Sequence, residues 1–372
     1  MKNNVVLDAR TVSDHFPGIG RYVVNLSQAL VRIDPGLDLV LLHDPSAAST
    51  RLALPGLPRI ACPVSPFSPR QQWVVPAQLR RVQAALYHSP YYLMPYLPGM
   101  PTVLTCYDMI PLVYPAYFSP VQRLIYRLAH SLAFRAAAAI LSISQSTKAD
   151  IVRYFGLDPR RVVVTPLAAG EHFCPQPAGR VDVVRQKYGL PQAYALYLGS
   201  NKPHKNLARL VEGWKEARFR FQVSGFRLVI AGHWEERYPE AKRRVEELGL
   251  GEQVIFVGAV DDEDLPALYS GAALFAFPSE YEGFGLPVLE AMACGSPVVC
   301  SNTSSLPEVA GEVALLVDPT DVDALAAAIG RVLADVGLRQ AMREKGLAQA
   351  ARFSWERTAR ETLAVYASAT HL

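Results

Sequence analysis

The segment PSEYEGFGLPVLEAMACGSPVVC, residues 278–300, predicts the end of one strand, a glycine turn, a helix and the next strand. Gly283 and Gly285 allow the backbone to adopt positive φ angles and to approach a ligand closely. Pro287 suits the first turn of a helix, and Gly295 suits its C-terminal end. Because the helix begins at the loop, its free N–H groups are available there for a phosphate or a sugar hydroxyl.

Two glutamates flank this turn, Glu282 within the loop and Glu290 one turn into the helix. An ionised carboxylate can accept several hydrogen bonds, so it suits the vicinal hydroxyls of a ribose or a hexose. We therefore predict that both carboxylates face one ligand. The simpler interpretation is a strand–turn–helix unit with two solvated glutamates.

Outward from this segment, short apolar runs alternate with helical segments along the whole chain. The runs at 102–107, 194–199 and 227–231, for example, are nearly all apolar. A strand that is covered on both faces of a parallel sheet has this composition. The strand–helix–strand order predicts an α/β fold with doubly wound sheets, whose ligands bind beyond the carboxyl ends of the strands.

The strand–helix series restarts once, after a segment rich in proline and glycine at 171–192 that is typical of a linker. We therefore expect two Rossmann-like domains, 1–170 and 193–350, facing a central cleft. An amphipathic helix is predicted within 351–372, with Ser354 as its N-cap. This helix is expected to pack back on the N-terminal domain.

The charge is distributed unequally along the chain. Its 372 residues are 50% hydrophobic and 19% charged, with a net charge of +3, which excludes a disordered protein. Residues 1–170 contain 16 Lys and Arg, 8 Asp and no Glu, whereas residues 171–372 contain 21 Lys and Arg and 26 Asp and Glu. Either the two halves meet different partners or the composition has drifted.

The sequence shows no pattern of export or membrane insertion. Its N-terminus lacks a basic segment followed by an apolar stretch, and no window reaches about 18 uncharged apolar residues. The five cysteines form no C-x-x-C pair, which favours reduced thiols. We therefore expect a cytoplasmic protein.

A second motif, LGSNKPHKNL at 198–207, follows a predicted strand and opens a helix. Lys205 would lie at the carboxyl end of that strand, where a cation can stabilise a leaving diphosphate. An exposed basic loop is the alternative interpretation.

A third motif, PGIGRY at 17–22, joins the first predicted strand to the first long helix. Gly18 and Gly20 make a tight, sterically open turn there. Val23 stands where the dinucleotide-binding pattern G-x-G-x-x-G needs its third glycine, so this motif does not predict a dinucleotide site. A plain strand-to-helix turn is the simpler interpretation.

Tyrosines are concentrated between residues 87 and 126, which include HSPYYLMP at 88–95 and TCYDMIP at 105–111. His88 lies beside a predicted strand, where a single histidine is commonly structural.

Residues 278–300, continued by SNTSSLPEV at 301–309 and LVDP at 316–319, resemble the signature of the retaining glycosyltransferases of family 4, the group 1 family. The E-x7-E pattern of that family matches Glu282 and Glu290. The tyrosine-rich segments resemble those of its mannosyltransferase-like members. The resemblance implies the GT-B fold.

The resemblance also implies a donor site. The residue matching Glu282 contacts the donor sugar, the one matching Glu290 binds the ribose, and Lys205 binds the diphosphate. An arginine is common where Ser200 stands, and His204 also occupies a frequent arginine position. Either Lys202 or His204 therefore supplies a second cation in place of that arginine, or Lys205 acts alone. The further donor-side candidates are Gly283, Phe284, Gly285 and Leu286, and the N-terminal glycines Gly18 and Gly20.

On the acceptor side, the resemblance points to Arg21, Tyr22, His88 and Tyr91. The family usually has a histidine near the reacting sugar at the position held here by Tyr107, which precedes Asp108. A tyrosine hydroxyl can bind a sugar oxygen, but its pKa near 10 makes it a poor base at neutral pH. The expected catalytic set is Glu282, Lys205, Asp108 and Tyr107.

The expected activity is therefore retaining transfer of a hexose from a nucleotide diphosphate sugar to a glycan or lipid-linked acceptor. GDP-mannose is favoured as the donor over a UDP-sugar. Attack on the same face of the sugar is expected, with the leaving phosphate helping to deprotonate the acceptor hydroxyl. No metal, cofactor or nucleic-acid partner is expected.

The basic N-terminal domain is expected to make peripheral contact with the inner face of an anionic membrane. Two alternatives keep the same architecture. One is a nucleotide-sugar epimerase, and the other is a non-enzymatic sugar-binding protein.

Overall fold

A computed structural model of the protein describes residues 4–13, 15, 17–46 and 53–370. The chain forms two compact units. The first contains Met1–Leu167 together with Ser354–Leu372, and the second contains Ala168–Phe353.

The first unit is built on a parallel sheet of seven strands. They are β1 (Asn4–Asp8), β2 (Asp38–His43), β3 (Arg59–Ala61), β4 (Leu86–Ser89), β5 (Thr102–Cys106), β6 (Ala139–Ser142) and β7 (Val162–Val164). The spatial order is β3-β2-β1-β4-β5-β6-β7, and Val6 of β1 pairs with Val40 on one side and Tyr87 on the other. The strand order reverses between β1 and β4, which is where ligands of such sheets bind.

Five helices and two 3-10 turns connect these strands. The helices are α1 (Pro17–Ile33), α2 (Gln71–Arg81), α3 (Ile110–Val113), α4 (Pro120–Ala136) and α5 (Gln145–Phe155), and the 3-10 turns are Pro115–Tyr117 and Pro159–Arg161. A capping box starts α4, because the Ser119 hydroxyl accepts from the Gln122 N–H and the Gln122 side chain accepts from the Ser119 N–H.

The second unit repeats this architecture with a parallel sheet of six strands. They are β8 (Tyr194–Leu198), β9 (Arg227–Ala231), β10 (Val254–Gly258), β11 (Leu274–Phe277), β12 (Val298–Ser301) and β13 (Leu315–Val317), in the spatial order β10-β9-β8-β11-β12-β13. The strand order reverses between β8 and β11. The central strands β8, β9 and β11 are almost completely buried, as their continuous apolar sequences predict.

Eight helices cover this sheet. They are α6 (Ala178–Lys187), α7 (Leu207–Phe221), α8 (Glu240–Glu247), α9 (Leu265–Ser270), α10 (Leu286–Ala293), α11 (Leu306–Ala310), α12 (Val322–Ala334) and α13 (Val336–Ala350), with 3-10 turns at Pro203–Lys205 and Asp262–Asp264. A Cβ added to Gly213 of α7 would lie 3.1 Å from Leu325 of α12. The absence of a side chain at this position therefore lets the two helices pack closely.

The linker expected at 171–192 needs correction, because this segment belongs to the second unit and contains α6. Buried Asp264 holds the helix, accepting from Arg180 at 2.6 Å, from Lys187 at 2.6 Å and from the Tyr188 hydroxyl at 2.9 Å. Gly179 lies in the first turn of this short helix, and the other prolines and glycines that suggested a linker flank it, namely Pro175, Pro177, Gly189 and Pro191. The end of the first unit falls at 167 rather than 170.

The last helix, α14 (Trp355–Thr370), belongs to the first unit. The Ser354 hydroxyl accepts from the Arg357 N–H at 3.2 Å, as the N-cap assignment predicts. Glu356 pairs with Arg32 of α1 at 2.7 Å, and the Thr358 hydroxyl donates to the carbonyl of Pro166 at 2.5 Å. The helix therefore packs on the N-terminal sheet and its first helix, where the amphipathic pattern led us to expect it.

The five cysteines are free thiols. Among the residues described, no helix has both the length and the hydropathy needed to cross a bilayer.

Candidate functional site

The turn between β11 and α10 has the predicted form. Gly285 is the N-cap of α10, with a φ of 104° that disfavours any side chain. A Cβ at Gly285 would also lie 2.7 Å from Leu306. Pro287 lies in the first turn, and Gly295, with a φ of 78°, follows the C-cap. Pro287 has no N–H, and the Val288 and Leu289 N–H groups donate to the Gly285 carbonyl at 3.0 and 3.3 Å. The helix therefore starts at the loop, and the Leu286 N–H is the one in its first turn that has no helical acceptor.

The structure joins the two motifs of the second unit through an ion pair. The Lys205 ammonium donates to the Glu282 carboxylate at 2.6 Å, although the residues are 77 positions apart. Their side chains are 16% and 13% exposed, so the pair is shielded but open to a ligand. The ammonium also lies 5.5 Å from the centre of the Phe277 ring, a favourable cation–π distance.

Two serines fix the backbone of the Glu282 loop. Ser304 donates to the Glu282 carbonyl at 2.6 Å and accepts from the Glu282 N–H at 3.1 Å. The Ser305 hydroxyl lies within 2.9 Å of the Glu282 and Phe284 carbonyls. These serines lie in the segment 301–309 that extends the motif, and they keep the loop in one conformation.

Glu290 is buried, with 5% of its surface exposed, on the helix that follows the turn. The hydroxyl of Tyr269, a fully buried residue of α9, donates to one Glu290 carboxylate oxygen at 3.1 Å. The sequence analysis did not identify Tyr269, because nothing in the motif points to a residue 21 positions earlier. Tyr269 therefore fixes the orientation of the Glu290 carboxylate.

Asn206 locks the Lys205 loop to the rest of the site. Its backbone is left-handed, with a φ of 62°, and its side-chain amide donates to the carbonyls of Pro278 at 3.1 Å and Pro319 at 2.7 Å. The Glu280 N–H donates to the His204 carbonyl at 2.8 Å. These hydrogen bonds therefore hold the loops after β8 and β11 together. An asparagine directly after the lysine was the available signal, and the sequence analysis missed it.

His204, one of the two candidates for a second cation, does not carry a positive charge at neutral pH. The residue is 2% exposed, and burial, with a smaller effect of Lys205 and Lys202, lowers its pKa to about 3, so the ring is neutral at pH 7. The side chain of Lys202 is more exposed than that of Lys205, and its ammonium lies 3.6 Å from the Glu235 carboxylate. The Ser200 carbonyl accepts from the Tyr197 hydroxyl at 2.8 Å. Of these candidates, Lys205 is the cation that the structure places against Glu282.

A pocket of ≈ 220 Å³ opens at the carboxyl ends of β8, β9 and β10. Its lining includes Gly199, Asn201, Trp234, Lys242 and Phe256. The Trp234 and Phe256 rings meet edge to face at 5.3 Å, and the Lys242 ammonium lies 4.4 Å from the Trp234 ring.

A Cβ at Gly232, another lining residue, would lie 2.1 Å from the carbonyl oxygen of Gly199, so this position requires glycine. The sequence analysis did not identify this pocket. Its available signal was a glycine at or directly after each of three successive strands.

His88 of the first unit is engaged by structural partners. It is fully buried at the end of β4, with Nδ1 2.6 Å from the Tyr366 hydroxyl of α14 and Nε2 2.8 Å from Thr105. The Thr105 hydroxyl lies 2.9 Å from the hydroxyl of Tyr22. Burial lowers the pKa of His88 to about 3, so it is a neutral ring held at both nitrogens. This favours the structural interpretation of His88.

Tyr107 packs edge to face on Tyr22, with ring centres 5.6 Å apart. Its hydroxyl is buried and has no hydrogen-bond partner among the described residues. Burial raises its pKa well above the ordinary value, so the phenol stays protonated and is no base. Neighbouring Asp108 accepts from the Ile110 N–H at 3.0 Å at the start of α3.

The predicted glycine turn at 17–22 needs correction, because α1 begins at Pro17 and Gly18 and Gly20 lie within its first turn. Gly18 is exposed, and a Cβ there would meet no atom within 4 Å. Arg21 is half-buried on the same helix.

Tyr91 is half-buried against Tyr92, with ring centres 4.5 Å apart. The structure therefore places the acceptor-side candidates on α1 and at or after the carboxyl ends of β4 and β5.

A buried ion pair at the end of β1 escaped the sequence analysis. Arg10 and Asp8 pair at 2.6 Å, and Asp8 also accepts from the Tyr87 hydroxyl at 2.5 Å. Arg10 donates further to the Val64 carbonyl at 2.9 Å. The signal was two opposite charges directly after an apolar run. The pair ties β1 to the loop that precedes α2.

Two family models match the chain. The model described as "Glycosyl transferases group 1" matches residues 182–349, and that of "Glycosyltransferase Family 4" matches residues 17–168. O-antigen chain mannosyltransferase B of Escherichia coli is 39% identical over 80% of this chain and 77% of its own length. The serotype-specific mannosyltransferase WbdA of Escherichia coli is 36% identical over 69% of this chain, which spans 32% of WbdA.

Solved structures agree on the fold. Sucrose-phosphate synthase of Thermosynechococcus elongatus superposes with a TM-score of 0.76 at 24% identity, covering 98% of both chains. HepE of Anabaena in complex with UDP-glucose superposes with a TM-score of 0.74 at 18% identity, covering 97% of this chain and 99% of its own. The chain therefore belongs to the group 1 family of glycosyl transferases, and it is a glycosyltransferase with the GT-B fold.

Proposed function

We propose that this glycosyltransferase transfers a mannosyl residue from GDP-mannose to a glycan or lipid-linked acceptor, with retention of the anomeric configuration. The observation that carries the proposal is the shielded Lys205–Glu282 pair at 2.6 Å, beside the free N-terminus of α10. The mannosyltransferase relatives support mannose as the sugar. A UDP-sugar is the second candidate donor.

The donor diphosphate would bind Lys205 and the backbone N–H groups of Gly285 and Leu286, where α10 begins. An ammonium group has three donor hydrogens, so Lys205 can keep Glu282 and still bind two phosphate oxygens. Glu282 would then accept from hydroxyls of the sugar. Glu290, oriented by Tyr269, would accept from the ribose. Phe284 contributes its backbone, because its side chain is buried against Phe353.

The nucleotide base is proposed to occupy the pocket between Trp234 and the ends of β8 to β10. The pocket is lined by the aromatic rings of Trp234 and Phe256 and by glycines, which suits a flat ring. It adjoins the Lys205 loop through Gly199 and Asn201. Comparing thermal stabilisation by GDP and UDP distinguishes a purine from a pyrimidine in this pocket.

In the proposed reaction, the bond between the anomeric carbon and the diphosphate oxygen breaks while the acceptor oxygen bonds to that carbon on the same face. The acceptor proton moves to a leaving phosphate oxygen. Two residues of the first unit favour this route over a protein base. The lowered pKa of His88, which is engaged at both nitrogens, makes it a weak base, and the raised pKa of Tyr107 keeps its phenol protonated. Lys205 and the helix N-terminus would stabilise the charge of the leaving group.

We propose that donor binding needs no metal ion. No group of three or more His, Cys, Asp or Glu suited to a metal occurs in the described part of the chain. Lys205 would supply the positive charge instead. Activity that survives EDTA supports this proposal, and loss restored by Mg²⁺ or Mn²⁺ contradicts it.

The proposal is tested with a panel of GDP- and UDP-sugars, scored by thermal stabilisation and by slow donor hydrolysis. GDP-mannose is expected to stabilise the protein most, and Glu282→Ala is expected to lower both this stabilisation and the transfer rate. Lack of stabilisation by every nucleotide sugar and nucleoside diphosphate contradicts the proposal. Conversion of the donor sugar without any acceptor would favour an epimerase. The configuration of the product, read by NMR of its anomeric proton, tests retention.

We further propose a cytoplasmic location, with the first unit holding the acceptor and contacting the membrane peripherally.

A further inference from the structure

The outward face of α4 is apolar. Five large side chains on this helix are 45–65% exposed, namely Val121, Leu124, Ile125, Leu128 and Leu132. Their spacing of three or four residues places them on one face of the helix. Large apolar side chains clustered on one surface mark a site of interaction with another molecule or a membrane.

The other face of the same helix already packs in the core. Ala129, His130, Ala133 and Phe134 are buried there. The exposed stripe is therefore additional to the side that anchors α4, so it is not needed to hold the helix on the sheet.

The exposed stripe lies in a strongly basic part of the sequence. Arg123, Arg127 and Arg135 are on the helix itself, and residues 109–149 contain no Asp or Glu. Between Asp44 and Asp150 the chain has nine Lys and Arg and a single acidic residue, Asp108. Apolar side chains next to arginines complement a lipid bilayer, which has an apolar interior and anionic head groups.

Apolar exposure continues beyond the end of α4. Leu132 and Arg135 line an open groove of ≈ 770 Å³ together with Leu97 and Met100. Leu97 is 86% exposed. The loop before β5 therefore extends the same apolar surface.

We infer that the exposed face of α4 binds an anionic lipid bilayer. The helix would lie in the plane of the interface, with its leucines among the upper acyl carbons and the exposed Arg127 and Arg135 at the lipid phosphates. Arg123 is half-buried, with its Nε shielded from solvent, so it is not assigned to this contact. A symmetric dimer through this face is disfavoured, because it would bring the same basic helices of two copies together. The inference rests on the membrane contact proposed above, which it locates on α4, and it is independent of the donor chemistry.

The test is cosedimentation of the full-length protein with phosphatidylcholine vesicles, with or without about one third phosphatidylglycerol, in the absence of donor and acceptor. The wild type is expected to bind the anionic vesicles at low salt and to be released at high salt. Replacing Leu124 and Leu128 together by serine should weaken binding about tenfold or more. Arg127→Gln should weaken it about fivefold.

Matched controls are available on the second unit. Phe219, which is 82% exposed, and the exposed Arg331 are replaced by serine and glutamine, and neither change should alter vesicle binding. The inference is overturned if the wild type binds no vesicles, or if the α4 variants bind like the wild type. It is also overturned if the wild type is a dimer that the Leu124 and Leu128 substitutions dissociate without any change in vesicle binding.

Thermal stabilisation by GDP-mannose, measured on the same variants, separates this inference from the proposed function. Normal stabilisation with lost vesicle binding supports the α4 surface. If no nucleotide stabilises the wild type but the α4 variants still lose vesicle binding, the donor proposal fails and the membrane surface stands.

Discussion

The two units use polar residues at the ends of their strands differently. In the second unit, Lys205 and Glu282 form a charged pair that is shielded but still reachable, with 16% and 13% of their side chains exposed. In the first unit, the charged Arg10–Asp8 pair is buried, and His88 and Tyr107 are uncharged with buried polar atoms. A charged pair that remains accessible to a ligand suits the binding of an anionic donor. Buried groups with packed side chains suit a structural role.

The largest expected effect comes from Lys205→Ala. It should lower kcat/KM about 10²–10³-fold, because it removes the cation proposed to stabilise the leaving diphosphate. It also leaves Glu282 without its partner, so donor affinity should fall as well. Steady-state kinetics with GDP-mannose measures both.

Lys202→Ala is the matched control, since it removes the same side chain three positions earlier, where Lys202 lies 3.6 Å from Glu235. It should retain activity within about threefold. Equal losses in the two variants would show that the positive charge of the loop matters rather than the Lys205 position.

The second effect is on stability at acidic pH. Burial lowers the pKa of His88 and His130 in the first unit, and of His204 in the second, from 6.5 to about 3. Between these values the unfolded chain binds the protons that the folded chain excludes, so stability is full above pH 6.5 and falls as the pH drops. Each histidine should contribute about 1.4 kcal/mol per pH unit.

Replacing His88 by glutamine should therefore make the free energy of unfolding less dependent on pH, by the contribution of one histidine, which is about 1.4 kcal/mol per pH unit. Urea unfolding followed by circular dichroism between pH 7 and pH 4.5 measures this, with the exposed His233→Gln as the control. An unchanged slope in His88→Gln would show that His88 does not remain neutral in the folded protein.

The sequence predicts the second unit more fully than the first. Gly285, Pro287 and Glu282 follow local rules of turns and helix starts, so residues 278–300 adopt the predicted conformation. The pairing of Lys205 with Glu282 follows because both lie after neighbouring strands, β8 and β11, whose carboxyl ends share one edge of the sheet.

The features that the sequence does not predict are those that depend on contacts between residues far apart in the chain. His88 meets Tyr366, which is 278 residues away, and no local pattern indicates that partner. The apparent linker contains α6, whose stability comes from Asp264 rather than from its own weakly periodic sequence. His204 resembles a basic ligand in sequence, but its burial removes the charge.

A smaller effect is expected from Tyr269→Phe. The substitution keeps the ring in the core and removes the hydroxyl that donates to Glu290 at 3.1 Å. If Glu290 binds the ribose, KM for the donor should rise about tenfold with little change in kcat. Tyr194→Phe, which removes another buried hydroxyl of the same unit that donates to the Leu268 carbonyl, is the control. If the two variants have equal KM values for the donor, the Tyr269 hydroxyl has no specific role in donor binding.

The smallest effect should come from Tyr107→Phe. Its hydroxyl is buried without a partner among the described residues, so removing it deletes no hydrogen bond and relieves a desolvated polar group. The free energy of unfolding should stay equal or rise by up to about 1 kcal/mol. The packing of its ring on Tyr22 is retained. Transfer activity should remain within about threefold of the wild type, because a group with a raised pKa supplies no base.

A loss of activity of about a hundredfold with unchanged stability would contradict this expectation. Tyr107 would then donate to the sugar or the acceptor in the bound state, and the first unit would contribute directly to the chemistry. The distinction between an accessible charged pair in the second unit and buried polar groups in the first would fail at that residue. Comparing Tyr107→Phe with Tyr22→Phe, whose hydroxyl lies 2.9 Å from Thr105, identifies which ring is responsible.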